Sequence, residues 1–143
     1  DGTLVLDDYI AFTTSVWREM SPAEQQALQQ AYMGEVILPA FKPQAVELVE
    51  RHRAQGDMLA IVTATNAFVT APIAREFGIA HLIATEPEQR DGRFTGKPFG
   101  TPCFQQGKVK RMDEWLAGQS RRWRDFAATW FYSDSRNDLP LAA

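Results

Sequence analysis

Six consecutive residues without a charge, Met58-Leu59-Ala60-Ile61-Val62-Thr63, set the tightest limit on the fold of this chain. A half-buried strand alternates apolar with polar side chains. An unbroken apolar run needs cover on both faces, and helices packed on either side of a mostly parallel sheet supply it. The polar residues that follow, Thr63-Ala64-Thr65-Asn66, then fall at the carboxyl end of the strand, where open α/β sheets gather their ligands.

A second run, Trp130-Phe131-Tyr132, reads as another buried strand and ends in Ser133-Asp134-Ser135-Arg136-Asn137-Asp138, with Asp134 and Asp138 four residues apart. Taken alone, an Asp-rich turn accounts for these residues through local hydrogen bonding. Asp1-Gly2-Thr3-Leu4 forms a further acidic tip, however. Two acidic tips at one sheet edge suggest a divalent-metal site, because Mg²⁺ takes one or two carboxylates and leaves its other positions to water and substrate phosphate.

The intervening sequence alternates. Ile10, Phe12, Val16 and Trp17 recur at helical spacing over 9–20, and Ser21-Pro22-Ala23-Glu24 offers an N-cap, a first-turn proline and a capping-box glutamate for a helix to about Val36. A third helix carries Ala45, Val46, Leu48 and Val49 and ends near Gln55-Gly56. A helix over 70–77 stops at Gly78, and Asn66 is positioned to cap it. A short strand over 81–84, a hairpin turn at Arg90-Asp91-Gly92-Arg93, a helix from Gly107 to about Leu116 and a further turn over 123–128 complete the pattern. The reading is an α/β fold, a Rossmann-like parallel sheet flanked by helices with a small helical cap inserted after the first acidic tip. Residues 1–7 and 57–143 form the core, incomplete at both ends, and 8–56 form the cap and return helix.

At 143 residues and 45% hydrophobic content, the chain has the size of one ordinary domain. A formal charge of −3 leaves no broad basic field for nucleic acid, and Arg121-Arg122-Trp123-Arg124 reads as a solvated surface face. The single cysteine, Cys103, excludes an internal disulfide and reads as a buried thiol. No apolar run nears the roughly 20 residues that cross a bilayer, so no membrane partner is expected and the cytoplasm is the default compartment. Oligomeric state is open.

Lys108 stands out among the candidate site residues. A lysine in the first turn of a helix opposes the macrodipole, and a nearby anion reverses that penalty. A solvated position in the basic run Lys108, Lys110, Arg111 is the bland alternative. Hydroxyl and backbone donors at Thr63, the Lys108 cation and the Asp134 and Asp138 carboxylates together make the set that a phosphate and its metal require.

With these residues in place, the sequence resembles the haloacid dehalogenase superfamily of phosphatases, in its phosphoserine-phosphatase-like branch. Asp1-Gly2-Thr3-Leu4 is similar to the latter part of the family's Asp-x-Asp-Gly-Thr motif, Ile61-Val62-Thr63 to its second motif, Lys108 to its third and Ser133–Asp138 to its fourth, in order along nearly the whole chain. The resemblance implies a Mg²⁺-dependent phosphomonoester hydrolase acting on a small phosphorylated metabolite through an aspartyl-phosphate. Asp1 is then the general acid/base and a metal ligand through its carbonyl. Asp134 is a metal ligand, and Asp138 joins the metal site by orienting its water shell. Thr63, Ala64, Lys108 and Asn137 hold the phosphoryl group. The nucleophile falls two residues ahead of Asp1, outside this sequence. Two alternatives stand beside this reading: a truncated or degenerate phosphate-binding protein without turnover, and a phosphotransferase on the same scaffold.

Overall fold

The computed structural model describes residues 6–142, so the acidic tip at Asp1 lies outside the described residues. Among the described residues three strands build the sheet: β1 (Ala60–Asn66), β2 (His81–Arg90) and β3 (Arg93–Phe99), in the order β1-β2-β3. β1 and β2 run parallel from the pair Ala60 and His81 to the pair Thr63 and Ala84, after which the register shifts before Asn66. β2 and β3 are antiparallel. The sheet is therefore mixed rather than parallel throughout, and the reason is local. Asp91 and Gly92 both adopt positive φ, 51° and 75°, as a two-residue hairpin turn of matching twist requires. The sequence marks that turn but not the length of its arms: β2 runs to Arg90 instead of stopping near 84.

Seven helices flank the sheet among the described residues: α1 (Leu6–Arg18), α2 (Pro22–Tyr32), α3 (Leu38–Ala40), α4 (Pro43–Ala54), α5 (Ala67–Glu76), α6 (Gln106–Gly118) and α7 (Leu139–Ala142). At the start of α2, Ser21 and Glu24 form the expected capping box, each side chain bonding the other's backbone N–H. A π-helical turn over Met33–Ile37 joins α2 to α3, carrying the helix past Val36. Asn66 caps α5 by accepting the Val69 N–H at 3.0 Å, which starts that helix at Ala67 rather than Thr70.

Ile83, Cys103 and Met112 form a buried cluster joined by Ala60, Val62, Trp115 and Leu141, so α6 lies on the β1–β2 face that carries these residues. Phe68 in α5 meets Trp17 of α1 edge-on at 4.9 Å and Phe94 of β3 at 5.4 Å. Phe41, just after α3, stacks on Phe77 at 4.4 Å. These aromatic contacts tie the N-terminal helices to the sheet.

The expected strand at Trp130–Ser133 is not formed. The segment is irregular, pairs with no strand among the described residues, and leaves Trp130 and Tyr132 exposed. Aromatic strand propensity expresses fit to a pleated, half-buried surface with cross-strand neighbours, and without those neighbours it does not produce a strand.

Candidate functional site around Lys108 and Asp138

Lys108 owes its position to the corner between β3 and α6. Gln105 holds φ at 47°, and Gly107 packs so close to the preceding turn that an added Cβ would lie 2.1 Å from the Pro102 carbonyl oxygen. Two bonds tie the corner to its surroundings: the Cys103 N–H donates to Thr85 Oγ1 at 3.0 Å, and Arg111 Nη1 donates to the Thr101 carbonyl at 3.0 Å. The third residue of α6 is thereby turned inward, and Lys108 is 5% exposed.

Its partner comes from 30 residues on. Lys108 Nζ donates to Asp138 Oδ1 in a buried ion pair. Asp138 closes a 3₁₀ turn (Arg136–Asp138) whose cap, Ser135, accepts the Asn137 N–H. Asp138 Oδ2 accepts a 2.5 Å bond from Ser133 Oγ, which itself accepts the Ser135 N–H at 3.0 Å. Since a carboxylate can only accept, this arrangement directs the Ser133 hydroxyl proton toward Asp138. Burial pushes the Asp138 carboxyl upward, but the hydrogen bonds from Lys108 and Ser133 and the lysine charge outweigh it, leaving Asp138 below the usual carboxylate range.

Thr63 pairs with Ala84 of β2, next to Ile83, whose carbonyl accepts the Cys103 thiol. The fully buried thiol donates to the Ile83 carbonyl at 3.4 Å and lies within the fields of Lys108, Arg111 and Asp138. Burial raises its pKa despite the two cations, which makes it a packing residue rather than a nucleophile, as the sequence indicates. Thr63 Oγ1 accepts the Thr65 N–H at 3.1 Å, forming a tight bend where the β1–β2 register shifts. Ala64 lies inside that bend.

The structure thus pairs Lys108 directly with Asp138 and sets Thr63 on β1, against the β2 segment whose Ile83 carbonyl holds the Cys103 thiol. Asp134 and Asn137 are exposed on the segment that leads to Asp138, and Asp1 lies outside the described residues. Among the described residues, no three His, Cys, Asp or Glu side chains group as a metal cage. Both Asp138 oxygens are engaged by Lys108 and Ser133, whereas Asp134 offers an exposed hard-oxygen donor. That set fits Mg²⁺, which keeps several waters and needs few protein carboxylates, better than it fits a caged ion. Ser133 and Thr85 are the contributors that residue type alone does not single out. The signal for Ser133 is its place five residues before Asp138, within reach of the same turn.

Fold and site together define a Rossmann-like α/β domain with a polar centre at one strand end. More particularly, the chain belongs to the haloacid dehalogenase-like hydrolase family, whose model matches residues 1–143. A histidinol-phosphatase from Neisseria meningitidis is 36% identical over 142 residues, covering 99% of this chain and 64% of that protein. A crystal structure of a protein of unknown function from Bordetella pertussis superposes with a TM-score of 0.94 at 51% identity, covering 98% of this chain and 63% of that one. A substrate-bound phosphoserine phosphatase shares the fold at a TM-score of 0.51 and 20% identity, over 68% of this chain and 45% of that one. The chain spans slightly less than two thirds of the first two relatives.

Proposed function

We propose that this chain is the greater part of a phosphomonoesterase that acts on a small phosphorylated metabolite. The observation that carries the reading is the buried Lys108–Asp138 ion pair. A lysine fixed by a carboxylate in a dry setting presents an oriented ammonium, and charge neutralisation with positioning carries most of phosphoryl transfer. Thr63 and the Ala64 backbone hold non-bridging oxygens beside it, and Asn137 steadies the same group. Asp134 and the Asp1 carbonyl would hold Mg²⁺, and Asp138 would orient its water shell. When bound, Mg²⁺ neutralises charge on the phosphoryl oxygens.

In this reading the Asp1 side chain protonates the leaving alcohol and then takes a proton from the attacking water. The phosphoryl group rests in between on an aspartate two residues ahead of Asp1. The helices of 8–56 act as the cap over a core of 1–7 and 57–143, with Trp17 and Phe68 where cap and core meet. The relationship to a histidinol-phosphatase puts phosphorylated amino alcohols first among candidate substrates.

The test is a hydrolysis screen of the full-length protein against phosphorylated metabolites, including histidinol phosphate and phosphoserine, with and without Mg²⁺. The expected result is turnover of at least one compound, abolished by chelator, restored by Mg²⁺ and lost in Asp134→Asn. Turnover that survives excess chelator, or none across the panel, overturns the proposal.

A further inference from the structure

A second polar junction, built on a buried histidine and two exposed partners, lies outside this centre. His52, in the last turn of α4, is 9% exposed; its Nδ1 is 2.7 Å from Asp57 Oδ2, and its Nε2 is 2.9 Å from Tyr132 Oη. The Trp130 ring lies 6.4 Å from the imidazole. Both ring nitrogens are therefore engaged. With a proton on Nδ1 facing Asp57, the neutral ring accepts the Tyr132 hydroxyl at Nε2, and the protonated ring donates to the same phenol oxygen. Either form keeps the junction closed, and neither leaves a nitrogen free to pass a proton to a substrate.

The consequence lies in what Tyr132 precedes. The segment 126–135 has no ladder bonds to a strand among the described residues, so side chains must hold it. Ser133 follows Tyr132 directly, about 3.8 Å away between Cα atoms, and Ser133 anchors Asp138. A slip at Tyr132 therefore passes almost undiminished to the bond that orients Asp138 and, through it, Lys108.

We propose that Asp57, His52 and Tyr132 form a latch, with His52 and Tyr132 as positioning residues that fix the approach of 130–138 to Lys108. Its kinetic consequence rests on the phosphatase reading, but the latch itself does not. In the full-length protein, Tyr132→Phe keeps the ring and removes the hydroxyl, making it the milder variant; His52→Gln is the second.

Two readouts apply. Amide hydrogen exchange at Ser135, Asn137 and Asp138, whose N–H groups are bonded within this turn, is expected to quicken about fivefold in Tyr132→Phe, the worth of one hydrogen bond, while β1 and β2 stay unchanged. On the best substrate of the screen, kcat is expected to fall on the order of tenfold with KM unchanged, because positioning errors act on the transition state. Unchanged exchange at all three amides, exchange that quickens equally throughout the sheet, or local quickening with an unaltered kcat each overturn the latch. If the wild-type protein hydrolyses nothing, the phosphatase reading falls, and the exchange measurement alone decides on the latch.

Discussion

Ser133 and Asp138 share a 2.5 Å hydrogen bond whose direction is set by the carboxylate, which can only accept, while the same serine hydroxyl accepts the Ser135 N–H. Removing that hydroxyl leaves Asp138 Oδ2 short of its donor in a buried setting. Ser133→Ala is therefore expected to destabilise the fold by about 1.5–3 kcal/mol, the range for a bond to a charged group, as read from urea denaturation midpoints. A loss under 0.5 kcal/mol would show that solvent replaces the hydroxyl.

The Lys108–Asp138 pair predicts strong non-additivity. Lys108→Met strands a buried carboxylate and should cost about 3–5 kcal/mol, whereas adding Asp138→Leu should recover a good part of that loss, because the uncompensated charge goes with it. Equilibrium unfolding of the single and double variants measures the coupling. Additive losses would mean that Asp138 finds another partner.

Acid sensitivity follows from the same carboxylate. Its folded pKa lies below the ordinary value, so the unfolded chain takes up the proton first as pH falls. The stabilisation is fully present above the ordinary aspartate pKa of about 3.9 and is lost as pH drops through the folded pKa. Comparing wild type with Asp138→Asn between about pH 6 and 2 should show a shallower acid limb in the variant. Parallel curves would place the dependence on other carboxylates.

Gly107 gives a steric test. Its missing side chain faces the Pro102 carbonyl oxygen, and backbone on both sides cannot yield cheaply. Gly107→Ala should cost about 1–3 kcal/mol in stability, as overpacking does, despite alanine's better helix propensity. Gly118→Ala, at a position with open space around it, should cost little. A thermal melt of the pair separates the close approach from general helix effects.

Much of this molecule is readable before any coordinates. The Ser21–Glu24 cap, the Asp91-Gly92 turn and the Asn66 cap are local events written in adjacent residues, and each forms as its chemistry requires. Lys108 is readable as a cation in need of an anion, and the chain supplies that anion at Asp138. What local reading misses depends on neighbours far along the chain. Trp130–Tyr132 has strand composition but no strand beside it among the described residues, and the length of β2 depends on β3 pairing back across the turn. The engagement of both Asp138 oxygens is equally invisible, because it joins residues brought together only by the path of the backbone.

Phe68 opens α5 two residues past Asn66 and is gripped from the other side, by the edge of Trp17 and by Gln29, which donates to its backbone carbonyl. The first turn of that helix is thus shared property of the N-terminal helices and the strand that carries Thr63. Any swing of those helices must either let go of Phe68 or pull on the end of β1, so their pose and the set of the Thr63 bend are mechanically geared to one another.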